Sequence, residues 1–253
     1  MLPKERQNLI LSLIEEKTSI TSKEIADKLS LSLPTLWRDL KILSQKGRII
    51  KTHGGAVLKR EGDFEFLFST RMKKHISEKK RIAEYASTLI NPGDIIALDT
   101  GTTSTLFASF LKDKENITVV TTSMSVAQEL INAKRIYSIL IGGDIKEETM
   151  STTGPMTLQN ISNFRVNKYF IGASAINPDN GTQDAYLFEI EIKKALMKIS
   201  QKNIVLADSS KFGKNSLAVM AEFKEIDTII TDNNLRKEYE YQITKAGVNL
   251  IKV

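Results

Sequence analysis

The chain has 253 residues, enough for one large domain or for a small domain and a medium one. It contains no cysteine and only two histidines, His53 and His75, so disulfides, metal sites and histidine-based triads are not expected. No apolar run approaches the roughly 20 residues of a membrane span, and the first residues lack the apolar core of a secretory signal. We therefore expect a cytoplasmic protein without a membrane partner.

The positive charge of the chain is confined to its first quarter. The net charge is +6, and residues 1–60 hold 12 Lys and Arg against six Asp and Glu, whereas the other 193 residues hold 24 of each sign. This asymmetry predicts that the first segment meets a polyanion such as double-stranded DNA. The alternative is a basic surface that only aids solubility.

Three helices are predicted in the first 47 residues. Apolar residues at helical spacing mark the first helix, from Lys4 to Glu16. Thr21 and Glu24 have the spacing of a capping box at the start of a short second helix. Ser32 is suited to cap a third helix, which Gly47 ends.

The third helix has one predicted buried face and one free face. Leucines at positions 33, 36, 40 and 43 form the buried stripe. The opposite face carries Thr35, Arg38, Lys41 and Gln45. In a helix-turn-helix this helix enters the major groove, where Arg and Gln contact base edges while Lys and Thr more often bind phosphate. These four side chains are the predicted groove contacts.

Two short strands around a Gly-Gly turn follow the third helix, over 48–51 and 56–58. Such a hairpin is typical of the wing of a winged helix-turn-helix. It would place Arg48, Lys51 and His53 along the DNA backbone or minor groove. A helical bundle with a hairpin that binds another protein is the alternative for residues 1–58.

The run Ser32-Leu-Pro-Thr-Leu-Trp-Arg-Asp-Leu40, followed by His53-Gly54-Gly55-Ala56, resembles the DNA-binding signature of the DeoR family of bacterial transcriptional regulators. The resemblance implies an operator as partner and adds Ser32, Trp37, Gly54 and Gly55 to the predicted DNA-binding residues. The family usually has two consecutive arginines where this chain has Trp37-Arg38. Trp37 either packs against the wing or contacts the sugars and thymine methyl groups of DNA.

Residues 59–75 are predicted to link the first domain to a second one, over 76–253. Phenylalanines 64, 66 and 68 alternate with other residues, so the linker is expected to pack against something and not to act as a free tether. His75 is expected to be merely exposed. Because paired DNA-binding units gain specificity on repeated half-sites, we expect a homo-oligomer, either a dimer or a tetramer.

The second domain alternates between strand and helix patterns. Apolar runs predict seven strands, at 95–99, 117–121, 137–141, 168–172, 203–207, 227–231 and 248–252. Helices are predicted at 78–90, 106–111, 124–132 and 187–200. Such alternation predicts an α/β fold with a mostly parallel sheet, which binds ligands at the carboxyl ends of its strands.

Polar and glycine-rich loops follow several of these strands. Their amides and hydroxyls are suited to an anion, and a lysine adds charge. The predicted effector-binding residues are Asp99, Gly101, Thr102, Thr103, Ser104, Thr121, Thr122, Ser123, Gly142, Gly143 and Lys211.

Several of these segments resemble the DeoR-family effector domain: 99–103, 142–143, 170–172, 193–197 and 208–213. The resemblance implies a fold like that of ribose-5-phosphate isomerase and CoA-transferase-like proteins. It also implies a small-molecule effector that is a phosphorylated sugar or polyol. A departure is Thr122, where the family commonly has Asn, so the ligand hydroxyls that this loop contacts could differ.

The alternative to a regulator is a sugar-phosphate isomerase that carries a DNA-binding domain. Isomerisation needs a base beside the carbonyl, and the run 172–176 after the fourth strand contains no carboxylate. Asp99 and Asp208 remain as possible bases. We predict no catalytic residue, metal or cofactor, and expect a repressor of a sugar or polyol operon that a phosphorylated sugar releases from DNA.

Overall fold

The computed structural model describes residues 3–17, 20–45, 49–52, 55–58, 68 and 71–253. The chain divides into two compact units, Met1–Leu67 and Phe68–Val253. Of the predicted linker, residues 59–67, 69 and 70 lie outside the described residues. No helix in the described part of the chain is long and apolar enough to cross a membrane.

The N-terminal unit is a three-helix domain with a small antiparallel sheet. Its elements are α1 (Pro3–Lys17), β1 (Ile20–Thr21), α2 (Ser22–Leu29), α3 (Leu33–Gln45), β2 (Ile49–Thr52) and β3 (Gly55–Leu58). The strand order is β1-β3-β2, so the predicted hairpin gains a third strand that the sequence analysis missed. The predicted capping box is confirmed: the hydroxyl of Thr21 accepts from the amide of Glu24, whose carboxylate accepts from the amide of Thr21.

The helices of this unit pack around a core that includes Ile10, Ile25 and the leucines 36, 40 and 43 of α3. Leu33, predicted in the same buried stripe, is 40% exposed, because it is the first residue of α3 and lies at the end of the helix. Asp39 is buried and pairs with Arg6 at 2.5 Å, while Gln7 donates to its other oxygen at 3.2 Å. These contacts fix α1 against α3.

The C-terminal unit is built on a parallel sheet of seven strands. Its strands are β4 (Ile95–Leu98), β5 (Ile117–Thr121), β6 (Ile136–Leu140), β9 (Val166–Gly172), β12 (Ser200–Leu206), β14 (Thr228–Thr231) and β15 (Asn249–Lys252). They lie in the order β15-β14-β12-β9-β4-β5-β6, and every neighbouring pair is parallel. The predicted strands and the parallel sheet are therefore confirmed.

Helices cover both faces of this sheet. They are α4 (Ile76–Thr88), α5 (Thr102–Ser109), α6 (Met124–Leu130), α7 (Pro155–Ile161), α8 (Leu187–Lys198) and α9 (Lys237–Lys245). Residues from α4, α5 and α6 share one apolar core with the sheet, and residues from α7, α8 and α9 share the other. Burial of two such faces drives the folding of this unit.

Five short strands in the described part of the C-terminal unit lie outside the main sheet, and none of them was predicted. β7 (Asp144–Lys146) and β8 (Ser151–Thr153) form a hairpin, while β10 (Ala175–Asn177), β11 (Gly181–Asp184) and β13 (Ala218–Ala221) form an antiparallel sheet. Strands of three or four residues, several of them polar, lack the apolar run by which longer strands are recognised. β11 matters for function because Asp184, its last residue, reaches the cavity described below.

Candidate functional sites

One face of α3 is open to solvent and carries the predicted groove contacts. Arg38 and Lys41 are exposed and Thr35 is partly buried, while leucines 36, 40 and 43 on the opposite face are buried. Trp37 is 53% exposed, so it is not a core side chain. The hydroxyl of Ser32 lies 2.9 Å from that of Thr35 at the start of the helix. The exposed face thus combines cations, hydroxyls and one large aromatic ring.

The other predicted DNA contacts lie mostly beyond what the structure describes. Arg48, His53 and Gly54 are outside the described residues, as are the side chains of Gln45 at the end of α3 and Lys51 in β2. Gly55 has a different role from the one predicted. It is buried in β3, and a Cβ there would lie 2.0 Å from the carbonyl oxygen of Ile20, so glycine is needed for β1 to pair with β3.

A cavity of about 170 Å³ lies at the carboxyl ends of β4, β9 and β12. Three loops that follow these strands line it, at 100–103, 172–174 and 207–211. Further walls come from residues of the segment 71–79 and from the side chains of Asp184, Tyr186, Glu189 and Lys193. We call this space the effector cavity. Its position agrees with the rule that parallel sheets bind ligands at their carboxyl ends.

Cations crowd one part of the effector cavity. They are Arg71, Lys74, Lys79, Lys211 and Lys214. Lys79 is only 5% exposed, and burial lowers its pKa to about 8. Burial also lowers the pKa of Lys211, although the nearby carboxylate of Asp208 acts in the opposite direction. Repulsion among these cations in a partly buried space favours a bound anion.

The N-terminus of α5 forms another wall of the cavity. The helix begins at Thr102 and has Gly101 as its cap, at a φ of 97° that only glycine adopts without strain. A Cβ at Gly101 would meet no atom within 4 Å, so the backbone here faces open space. Because the first amides of a helix have no acceptor within it, Thr102 and Thr103 present N–H groups and hydroxyls to a ligand.

A buried charge network lies beneath the cavity and is centred on Lys193. Its ammonium lies 2.5 Å from Asp184 and 3.0 Å from Asp99, and it donates to the carbonyl of Gly172 at 3.1 Å. Burial opposes the charge of Lys193, but the two carboxylates outweigh it and hold its pKa above the ordinary value. Burial would raise the pKa of Asp184, yet the ammonium brings it below its usual range. Burial raises the pKa of Asp99 to about 6.

Two hydroxyl groups bind the carboxylate of Glu189, which also lines the cavity. Thr100 donates to one of its oxygens at 2.7 Å, and Ser151 donates to the other at 2.8 Å. Ser174 likewise donates to Asp184 at 2.9 Å. Both oxygens of Glu189 therefore already accept a hydrogen bond from the protein. The hydroxyl oxygens of Thr100 and Ser174 still carry lone pairs that can accept hydrogen bonds from a ligand.

Four of the predicted effector-binding residues line the cavity: Gly101, Thr102, Thr103 and Lys211. Asp99 does not. It is buried, and its carboxylate already accepts from the amide of Gly172 at 2.8 Å and the hydroxyl of Tyr169 at 3.2 Å, besides its contact with Lys193. We therefore correct its predicted effector contact to a supporting role behind the cavity wall. Ser104 is buried inside α5 and also lies off the cavity.

The loops after β5 and β6 do not line the cavity and serve the fold instead. The hydroxyl of Thr121 donates to the carbonyl of Leu98, and Ser123 caps α6. Thr122 is buried, and its hydroxyl has no partner within the part of the chain that the structure describes. The carbonyl of Gly142 accepts from Thr157, while a Cβ at Gly143 would collide with the same side chain.

Much of the cavity was not predicted from sequence. Arg71, Lys74 and Lys79 were not expected there, and His75 was expected to be merely exposed, whereas it is partly buried and lines the cavity. After the fourth predicted strand, a carboxylate was sought only within 172–176. The folded chain brings Asp184 and Glu189 to that place from later in the sequence. Lys193 belongs to a segment that resembles the family, which was the available signal for it.

Metal binding has no obvious site here. Among the described residues, no group of three or more His, Asp or Glu side chains is placed to hold a metal ion. Asp184 pairs with Lys193, and Glu189 accepts from two hydroxyls, while the cations Arg71, Lys74, Lys211 and Lys214 line the same cavity. The cavity therefore offers a ligand hydrogen bonds and positive charge.

A basic helix-turn-helix unit joined to an α/β unit with a charged cavity defines a DNA-binding regulator with a sensor domain. Comparison with known proteins agrees: the model of the DeoR-like helix-turn-helix domain matches residues 6–61, and that of the DeoR C terminal sensor domain matches residues 74–233. The HTH-type transcriptional regulator GolR of Listeria innocua is 33% identical over 98% of each chain. The glycerol-3-phosphate regulon repressor of Escherichia coli is 29% identical over 90% of each chain. The chain belongs to the DeoR family of transcriptional regulators.

Among solved structures, ribose 5-phosphate isomerase A from Methanocaldococcus jannaschii aligns with 55% of each chain at 18% identity, with a TM-score of 0.41. The fold of the sensor domain is established here by its strand order and by the family match.

Proposed function

We propose that this regulator represses a sugar or polyol operon and that a phosphorylated sugar or polyol, bound in the effector cavity, releases it from the operator. The observation that carries the proposal is the composition of the cavity, which combines clustered cations and a helix N-terminus with hydroxyls and carboxylates. A phosphate ester of a polyhydroxy compound has the complementary groups.

The phosphate would lie between the N-terminus of α5 and the cationic wall. Amides and hydroxyls of Thr102 and Thr103 donate to its oxygens, and Lys79 and Lys211 supply charge. Both lysines are desolvated in the free protein, so a dianion restores a favourable surrounding for their ammonium groups. The sugar hydroxyls would then face Thr100 and Ser174. The name of the Escherichia coli relative, which refers to glycerol 3-phosphate, supports the same ligand class.

Binding without catalysis is the function that the carboxylates favour. Asp99 and Asp184 are paired with Lys193, and Glu189 accepts from two hydroxyls, so none of the three is poised as a base. Asp208 lines the cavity but accepts hydrogen bonds from Ser210. Incubation of the purified protein with a panel of sugar phosphates should give no turnover above background, and clear turnover would favour the isomerase alternative.

DNA recognition is proposed for the exposed face of α3, with Arg38 at base edges and Lys41 at phosphates. We further propose that the regulator binds as a homo-oligomer, since one such unit covers few base pairs and two-fold symmetry is the commonest solution. Light scattering of the free protein and of its operator complex tests this, and a monomer in both states contradicts it.

The effector site is tested with two glycine variants that carry the same backbone strain. Gly101→Val puts a side chain into the cavity at a φ of 97°, whereas Gly93→Val creates similar strain at a φ of 91° in equally open space away from the cavity. Gly101→Val should abolish release of operator DNA by the active sugar phosphate, and Gly93→Val should not. Operator titrations beside thermal melts measure both. A folded Gly101→Val protein that responds normally contradicts the proposed site.

A further inference from the structure

The short segment 71–75 combines two features. In sequence it is the last part of the predicted linker and directly precedes α4. In the structure three of its side chains, those of Arg71, Lys74 and His75, line the effector cavity. A ligand in the cavity therefore contacts the part of the sensor unit that leads to the DNA-binding unit.

One side chain holds this segment in place. The ammonium of Lys79, in the first turn of α4, donates to the carbonyl of Lys74 at 2.8 Å and to the carbonyl of Arg71. His75 precedes the helix in the left-handed conformation, at a φ of 54°, and its carbonyl accepts from the amide of Lys79 at 3.1 Å. Lys79 thus holds the segment 71–75 through the carbonyls of Arg71, Lys74 and His75.

The same ammonium also belongs to the cavity. Lys79 lines it together with Arg71, Lys74 and Lys211, so several cations surround one small space. An anion placed there attracts the ammonium of Lys79 and the side chains of Arg71 and Lys74 at once. It also competes with the two backbone carbonyls, because charge-assisted hydrogen bonds to a phosphate are stronger than those to a neutral carbonyl.

We propose that Lys79 couples the effector to the DNA-binding unit. A phosphate in the cavity takes hydrogen bonds of Lys79 away from the carbonyls of Arg71 and Lys74, and the released segment 71–75 rearranges at the point where the linker ends. The inference rests on the proposed function for the anionic nature of the ligand. A ligand shifts a protein from one state to another only if its contacts differ between the two states. Here the difference is the hydrogen bonds of Lys79, which go to backbone carbonyls in one state and to the phosphate in the other.

Hydrogen–deuterium exchange of the full chain tests the rearrangement, with inorganic phosphate as the probe and chloride at matched ionic strength as the control. Phosphate should change the exchange of residues 68–80 several-fold in the wild-type protein. Lys79→Met should lose this change, whereas Lys211→Met should need more phosphate but reach the same change at saturation. An unchanged segment in saturated wild-type protein overturns the proposal without reliance on any variant.

The coupling is measured for each variant as the operator dissociation constant with saturating sugar phosphate divided by the constant of the same variant without ligand. Ratios of about 5 to 150 are typical of allosteric proteins. Lys79→Met should bring the ratio close to one, and Lys211→Met should keep the wild-type ratio at a higher ligand concentration. A wild-type ratio in Lys79→Met overturns the coupling role alone. If instead no sugar phosphate releases the operator while phosphate still alters residues 68–80, the proposed function and the coupling role fail, and only the phosphate-driven rearrangement of segment 71–75 stands.

Discussion

The ammonium of Lys193 lies 3.0 Å from the carboxylate of Asp99, and both side chains are almost wholly buried. Asp99 follows β4, while Lys193 comes from α8 and also holds Asp184 at the end of β11. The pair therefore joins the main sheet, a covering helix and the small sheet at one point. The effector cavity lies directly over this junction, so its shape depends on the pair.

Loss of the buried cation should destabilise the sensor unit. In Lys193→Met, the carboxylates of Asp99 and Asp184 lose their common partner while they remain buried. Breaking such a pair costs about 3–5 kcal/mol. The neighbouring Lys194 is exposed, so Lys194→Met is the matched control and should change stability little. Urea unfolding of both variants measures the difference, and equal midpoints would show that the network contributes no stability.

A second prediction concerns the pH dependence that Asp99 gives to stability. Burial raises its pKa in the folded protein from 3.8 to about 6. Between pH 4 and 6 the folded state then binds more protons than the unfolded state at this group, so its contribution to stability falls as pH rises through that window. Asp99→Asn removes the effect. The unfolding free energy of the variant, relative to wild type, should rise across the window by at most about 3 kcal/mol.

Urea titrations at intervals from pH 4.5 to 7.5 measure this difference. Asp99→Asn keeps a side-chain oxygen that can accept from the amide of Gly172, and any change in stability that does not depend on pH shifts the whole curve, so only the slope reports on titration. Parallel curves for the two proteins would contradict a raised pKa for Asp99.

The main sheet could be predicted from sequence because each of its strands is an apolar, β-branched run between turn residues. Ile95–Leu98 and Ile117–Thr121 are typical. Ligand binding by the loops at their carboxyl ends could also be predicted, because parallel sheets bind ligands there. This rule led to Gly101 and Lys211. The hairpin of β7 and β8 was missed because pairing of its polar residues, and not an apolar pattern, defines it.

The buried lysines could not be predicted. Lys79 and Lys193 lie in helical patterns where lysine normally faces solvent. Each is buried because the fold supplies partners that a helical pattern does not reveal, namely the carbonyls of Arg71 and Lys74 for Lys79 and two carboxylates for Lys193. Local spacing carries no information about those partners. The burial of both lysines therefore emerged only from the structure.

On the DNA-binding face, alanine variants of Arg38 and Lys41 should weaken DNA binding in different ways. Arg38→Ala should reduce discrimination between operator and random DNA by roughly 1–3 kcal/mol, as expected for a lost base contact. Lys41→Ala should weaken binding to all sequences and flatten the log-log salt dependence by about one unit. Lys80→Ala removes the same charge from an exposed site on the sensor unit and serves as control. If neither variant differs from Lys80→Ala, α3 does not enter the groove.

The exposed ring of Trp37 should affect sequence preference more than stability. Because it is 53% exposed, Trp37→Arg should melt close to wild type while it restores the two arginines of the family pattern. Selection of binding sites from a random DNA library should then give a changed consensus, since arginine can donate two hydrogen bonds to the O6 and N7 of guanine, whereas tryptophan has a single N–H donor. Identical selected sequences would place Trp37 outside the interface.

The last prediction follows from the charge state of Lys79 in the cavity. Burial holds its pKa at about 8 in the ligand-free protein, while Asp208 opposes this effect and Lys211, Arg71 and Lys74 add to it. A phosphate ester becomes a dianion above pH about 6, so affinity should rise from pH 5 to about 7. Above pH 8 the ammonium of Lys79 loses its proton, and affinity should fall. Isothermal titration calorimetry from pH 5.5 to 9.5 gives the profile.

In Lys79→Met the fall in affinity above pH 8 should become weaker, with the remainder due to Lys211, whose pKa burial also lowers. The control is Lys194→Met, which should keep both limbs. A wild-type affinity that stays constant between pH 7.5 and 9.5 would contradict the proposed contact between Lys79 and the anion.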